Sequence, residues 1–251
     1  MRRFIVVALV AALVSRLGGL VQADEGKDAK AVIDKAIKAL GGEDKLAKAK
    51  AITYKTKGKI SLGGNESDIT STVTTQGIDH NRQEFEGEFN GNKVQGVIIV
   101  AGDKAWRKFG DDSRDLENEQ LANQKRLVYL QVVGASVLPL KDKAFKVESV
   151  SEEKVGDKPA VAIKATGPDG KDFQLFFDKE SGLPVKLVAK VAGRGGEEYT
   201  QETTYAKYKD FDGINVATRV ETTRNGEKFI ENDLSDFKVV DKVDAATFAQ
   251  P

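Results

Sequence analysis

From residue 51 onward, apolar and polar residues alternate almost without interruption, and short clusters of Gly, Asn and Asp divide the alternation into segments. In the first segment, Ile52 to Leu62, apolar or small residues occupy the even positions, whereas Lys55, Lys57 and Lys59 share the other face. A period of two residues is typical of a strand that buries one face and leaves the other in water. The sequence therefore predicts a mainly β fold, built as a long antiparallel meander.

The same pattern predicts ten further strands, separated by turn sequences such as Asp212-Gly213 and Asn225-Gly226. We expect them at about residues 69–77, 94–101, 105–109, 144–151, 160–166, 171–178, 183–192, 197–209, 214–224 and 227–239. No change of composition marks a linker, so residues 24–251 are predicted to form one domain.

Two segments have a helical pattern instead. Ala29, Ile33, Ala36, Ile37 and Leu40 repeat with the period of one helix face, and Gly41-Gly42 provides the usual glycine end of a helix. A short helical turn is expected at residues 43–49, and a longer helix at residues 111–134, with an apolar connection to Leu140. Its second half, residues 127–133, is apolar except at Gln131, so it is expected to bury more than one face.

The first 23 residues are interpreted as a signal peptide. Arg2 and Arg3 precede eleven apolar residues, too few to span a bilayer, and Val21-Gln22-Ala23 matches the cleavage pattern. Cleavage after Ala23 would give a periplasmic or otherwise exported protein with 36 Lys and Arg against 39 Asp and Glu, a net charge of −3. This charge argues against a nucleic-acid partner.

The sequence offers little for catalysis or metal binding. It contains no Cys and one His, His80, which lies in a predicted turn, and no partners at metal-ligand spacing accompany it. None of the common nucleophile, phosphate-loop or zinc motifs is present. We therefore expect no cofactor, no metal and no enzymatic activity.

A series of short motifs in a fixed order indicates a family. The order begins with ALGG at the end of the first helix and AGDKAW at Ala101–Trp106, and it continues with VLPL at Val137–Leu140. FFDKESGLPVKL at Phe176–Leu187, YKDFDGINVATRVE at Tyr208–Glu221 and the terminal FAQP complete it. In this order the chain resembles the periplasmic outer-membrane lipoprotein carriers, the LolA/LolB-like superfamily.

The resemblance implies a curved antiparallel sheet, an incomplete β-barrel, covered by the N-terminal helix and by a mid-chain helical lid. It further implies that an apolar cavity binds a lipid or the acyl group of a lipoprotein, with transient contact to a membrane or membrane protein. We expect a monomer. Two alternatives remain open: a structural or interaction domain of the cell envelope with a filled core, and a secreted hydrolase that uses paired carboxylates.

The candidate ligand-binding residues are the apolar side chains expected on the inner face of the sheet and on the helical cover. Trp106, the single tryptophan, is included because it borders a turn at a possible cavity mouth. The candidates are Ile52, Tyr54, Ile60, Leu62, Trp106, Leu127, Leu130, Leu138, Phe173, Leu175, Phe177, Val185 and Leu187.

Overall fold

The computed structural model describes residues 25–89, 91–193 and 195–251, with side chains from residue 29 onward except 149 and 150. The predicted signal peptide and its cleavage site lie outside the described residues. The helices are α1 (Glu25–Leu40), α2 (Glu43–Lys48) and α3 (Asn118–Ser136), with 3₁₀ turns at Leu138–Lys141 and Ala245–Phe248. The strands are β1 (Ala51–Leu62), β2 (Asn65–Gln76), β3 (His80–Phe89), β4 (Asn92–Ala101), β5 (Lys104–Phe109), β6 (Asp112–Leu116), β7 (Lys146–Val155), β8 (Lys158–Thr166), β9 (Asp172–Asp178), β10 (Pro184–Ala192), β11 (Glu198–Phe211), β12 (Ile214–Arg224) and β13 (Glu227–Val240).

All thirteen strands form one open antiparallel sheet. Its order is β6-β5-β4-β3-β2-β1-β13-β12-β11-β10-β9-β8-β7, so two meanders are joined at the centre where β1 pairs with β13. The two edge strands, β6 and β7, are consecutive in sequence and α3 lies between them. The chain must therefore carry α3 across one face of the sheet to pass from one edge to the other. The predicted sheet covered by helices is confirmed.

Helix α1 packs its predicted apolar side against the sheet at β7 and β12. Ala36 and Leu40 are completely buried, and the Ala39 carbonyl accepts a hydrogen bond from the Asn215 side chain at 2.8 Å. The helix ends at Leu40, and at the next residue, Gly41, a Cβ atom would lie 2.3 Å from the Gly213 carbonyl oxygen and φ is +129°. Only glycine fits this close approach.

Helix α3 is shorter than the sequence predicts. Residues 112–116 form the edge strand β6, which follows a turn at Gly110 and pairs with β5. The hydrogen bonds of this hairpin outweigh the helix propensity of the segment, and helix begins only at Asn118. The prediction that the helix buries more than one face is confirmed. Val128 packs with β4 and β5, and Tyr129, Leu130 and Val133 pack on the side of β8 to β10.

Arg126 joins α3 to the strands on one side of the sheet. Its side chain is 2% exposed, and its nitrogens donate to the Lys190 carbonyl at 2.7 Å and to the Asp172 carbonyl at 2.8 Å. It also forms an ion pair with Asp169 at 2.9 Å, and the Tyr129 hydroxyl donates to the same carboxylate at 2.8 Å. Apart from a bond to the Tyr129 hydroxyl on its own helix, Arg126 donates to strands β9 and β10 and to the turn before β9.

A hydrogen-bonded turn accounts for the residues in the middle of the motif at Phe176–Leu187. The Asp178 carboxylate accepts hydrogen bonds from the backbone N–H and the hydroxyl of Ser181, at 2.7 and 2.8 Å. These bonds hold the pKa of Asp178 below its usual value. Gly182 follows with φ +77°, a conformation that glycine adopts without strain.

We predict that Arg126→Met lowers the free energy of unfolding by about 3–5 kcal/mol, because Asp169 and two carbonyl groups would lose their buried partner. Chemical denaturation measures this loss. Lys125→Ala is the matched control, since Lys125 forms an exposed pair with Asp103 and should cost less than about 1 kcal/mol. Equal losses for the two variants would contradict the structural role given to Arg126.

Candidate functional site

The face of the sheet that carries the helices, called here the inner face, is tightly packed over β8 to β10. Directly opposed residues of neighbouring strands share a face, so the pairing assigns each side chain to one side of the sheet. The helices cover this region with α1 side chains and with Val133 and Val137. Five of the predicted candidates lie in this packed region, each 0–3% exposed: Leu130, Phe173, Leu175, Phe177 and Leu187.

Beyond β10 the helices cover only part of the same face, where α3 contacts Tyr205 and Tyr54. One row of opposed residues begins at the buried Leu187, passes Thr203 and Thr222, and reaches Ile230 and Ile60. Ile230 and Ile60 are partly exposed and belong to none of the packed apolar clusters of the described residues. The neighbouring rows add similar side chains. We call this set the uncovered inner face: Ile60, Val94, Val220, Ile230 and Leu234.

Aromatic rings continue this surface toward β5. Phe85 and Phe109 are partly buried on the inner face, with ring centroids 5.3 Å apart in an edge-to-face arrangement. Phe85 lies over Gly96, where a Cβ atom would come within 2.4 Å of its ring. Because glycine leaves this space, the ring lies flat against the sheet and extends the apolar surface.

Tyrosines occupy the space between α3 and the centre of the sheet. The Tyr54 hydroxyl accepts a hydrogen bond from the Gln131 side chain at 2.6 Å, which connects α3 to β1. Burial raises the pKa of Tyr54 above its usual value, and the Gln131 bond offsets part of that rise. The Tyr205 hydroxyl contacts Gly134, where a Cβ atom would lie 1.9 Å from the hydroxyl oxygen. Gly134 therefore allows close contact between helix and sheet.

The remaining candidates are distributed over three places. Leu127 and Leu138 pack at the margin of the helix-covered cluster, and Ile52 is partly exposed on the inner face. Leu62, 48% exposed, ends β1 beyond Ile60. Val185 is the extra residue of a bulge between β9 and β10, and it borders a hollow of about 220 Å³.

Trp106 lies on the other side of the sheet. It is paired with Ile99, and both belong to a cluster covered by Phe248 and Val243 near the C-terminus. Arg82 donates to the Thr247 carbonyl at 3.2 Å and fastens the covering segment. The inner face of the same two strands is formed by Val100 and Ala105 instead.

Sequence reasoning did not single out Arg126, Asp169, Ile230 or Arg224. The alternation in residues 227–239 marks Ile230 as apolar but does not say which strand lies beside it. Arg126 and Asp169 are 43 positions apart, and their contact depends on how α3 crosses the sheet.

A larger hollow, of about 770 Å³, borders Phe85 and Gly96. Charged and hydroxyl side chains dominate its lining, among them Lys55, Lys57, Thr70, Thr72, Glu84 and Glu86. The described residues hold no cluster of three or more side chains suited to a metal ion. No helix among them is both long enough and apolar enough to cross a membrane.

Solved structures provide the comparison for this arrangement of sheet and helices. A LolA superfamily protein from Nitrosomonas europaea is 13% identical, with a TM-score of 0.59 over 88% of this chain and 97% of that one. The chain has the LolA-superfamily fold. A DUF1329 family protein from Desulfovibrio piger is 15% identical, with a TM-score of 0.58 over 88% and 97% of the two chains. A putative outer membrane lipoprotein-sorting protein domain from Vibrio parahaemolyticus is 12% identical, with a TM-score of 0.52 over 86% and 97%.

Comparisons at the level of sequence add no relative. No family model matches the chain, and no curated protein matches it. The solved structures nevertheless confirm, at the level of the LolA-like fold, the resemblance predicted from the motifs.

We predict that Phe248→Ala shifts the fluorescence of Trp106 to longer wavelength, because it removes the cover of the apolar cluster against which Trp106 packs. Emission spectra of the folded variant measure the shift, and Trp106 is the only tryptophan. Leu62→Ala, on another strand, should leave the spectrum unchanged. A shift in Leu62→Ala and none in Phe248→Ala would contradict this placement of Trp106.

Proposed function

We propose that this protein is an exported, non-enzymatic carrier that holds the apolar part of an amphiphile, a lipid or the acyl group of a lipoprotein, on its uncovered inner face. The observation that carries the proposal is the row that runs from Leu187 to Ile60. Along this row the helices cover one half of the sheet face and leave apolar side chains of the other half accessible to solvent.

The energetics favour an apolar ligand without a specific polar contact. Burial of one methylene group contributes about 0.8 kcal/mol, so the affinity would grow with the length of the chain that lies on Ile60, Ile230 and Val220. Phe85 and Phe109 add flat apolar surface next to this row. A carrier of this kind needs no catalytic group, since it acts by reversible binding.

The fold supports the same proposal. The structure from Vibrio parahaemolyticus is described as a putative outer membrane lipoprotein-sorting protein domain, and it shares this architecture. An exported location and transient contact with a membrane or membrane protein would follow from the proposed role.

A second candidate function is a structural or interaction domain of the cell envelope. The packed cluster around Leu175 and Leu187 favours it, because most of the inner face over β8 to β10 is already filled by α1 and α3. The two candidates differ in one measurable property, the binding of an amphiphile by the other half of the face.

We predict that the folded protein binds the neutral dye Nile red and that decanol displaces it. Ile60→Gln should weaken the binding of Nile red and of decanol by roughly tenfold each, since it places a polar amide in the apolar row. Fluorescence titration below the micellar concentration measures both affinities.

Ser61→Gln is the matched control, because Ser61 is the next residue of β1 and points to the other face. It should bind as the wild type does. Absence of saturable binding by the wild-type protein would contradict the carrier proposal and favour the structural domain. Equal weakening in both variants would place the ligand elsewhere.

A further inference from the structure

Two arginines of β12 have opposite surroundings. Arg219 lies on the outer face and is surrounded by carboxylates: Glu221 at 2.9 Å, Glu231 at 2.9 Å and Asp233 at 3.1 Å. Arg224 has the other parity along the strand and lies on the inner face, opposite Gln201. The charge of the first arginine is balanced by the protein.

The charge of Arg224 is not balanced in this way. Its Nε donates to the Gln201 side chain at 3.2 Å, and no carboxylate of a described residue forms an ion pair with it. Its guanidinium carbon lies 3.7 Å from the centre of the Phe229 ring and 5.7 Å from that of Tyr199. The rings therefore hold the guanidinium group in place without neutralising it.

Two carboxylates lie near Arg224 without forming an ion pair with it: Glu227, opposite Arg224 on β13, and Glu197, which is already engaged. Glu197 accepts hydrogen bonds from the Tyr199 hydroxyl at 2.7 Å and from the Gly195 backbone at 2.8 Å. Burial lowers the pKa of Arg224, and electrostatic interactions with Tyr199 and Glu197 offset this only in part. Guanidinium nevertheless remains charged at neutral pH. A half-buried cation with no bonded anion carries a desolvation cost that an anionic ligand would offset.

Arg224 lies beside the apolar row, one same-face position along β12 from Thr222. Thr222 precedes it by two residues on the same face, a distance of about 7 Å along the strand. Thr222 is opposite Ile230, which is opposite Ile60, so the apolar side chains lie one and two strands away, or about 5 and 10 Å. A charged group bound at Arg224 would thus lie about 7 Å along the strand from the row that contains Ile230 and Ile60.

We propose that Arg224 binds the oxyanion headgroup, a carboxylate or a phosphate ester, of an amphiphile whose chain lies on the uncovered inner face. This inference rests on the carrier function proposed above and adds the class of headgroup to it. The planar guanidinium group suits such oxyanions because two of its N–H groups can bind two oxygens at once.

The test compares decanoate, decyl phosphate and the neutral decanol as competitors of Nile red, with the wild-type protein and with Arg224→Gln. We expect decanoate and decyl phosphate to bind the wild type more tightly than decanol. Arg224→Gln should weaken the binding of the two anions by roughly tenfold or more, because only they lose a charged hydrogen bond. The affinity for decanol should change by less than about twofold.

Arg219→Gln is the matched control, since it removes an arginine from the same strand but from the other face, and it should affect none of the three ligands. Thermal unfolding of all variants checks that each remains folded. Arg224→Lys, which keeps the charge but not the paired donors, should recover part of the lost affinity.

Three outcomes would overturn the inference in distinguishable ways. If decanol binds but Arg224→Gln leaves the anions unchanged, the headgroup site is refuted and the carrier function stands. If inorganic phosphate or acetate competes as well as the decyl compounds, Arg224 binds free anions rather than a headgroup. If no decyl compound binds the folded wild type, the carrier function itself fails.

Discussion

The crossing of α3 from one edge of the sheet to the other is the constraint on which the rest of this structure depends. The strand order places β6 and β7 at opposite edges, although only α3 and a 3₁₀ turn separate them in the chain. The connection must pass over one face, and the ion pair and hydrogen bonds of Arg126 decide on which strands it rests. The inner face is therefore divided into a covered and an uncovered half.

This division would allow one sheet to serve both stability and the proposed binding. The covered half holds the large buried side chains, such as Leu175 and Phe177, that a stable core requires. In the other half, side chains such as Ile60 and Ile230 belong to none of the packed clusters of the described residues and keep part of their surface in water. Burial of that surface by a hydrocarbon chain would be favourable without any rearrangement of the core.

The spacing of apolar residues and the turn residues made the strands and α1 predictable, because these features are local in sequence. The same holds for the buried side chains of β9: Phe173, Leu175 and Phe177. The face on which Trp106 lies depends on its pairing with Ile99, and the sequence alone does not specify this register. The partners of Arg126 and the isolation of Arg224 depend likewise on contacts between distant segments. Sequence therefore predicted the apolar faces well, but not which of them a helix would cover.

The most direct test of the account is the position of a bound hydrocarbon chain. A fatty acid with a nitroxide spin label should, in nuclear magnetic resonance spectra, broaden the methyl signals of Ile60 and Ile230 far more than those of Ile99 on the opposite face. Broadening restricted to Ile99, or absent from all three while the fatty acid is in excess, would contradict the claim that the uncovered inner face binds an amphiphile.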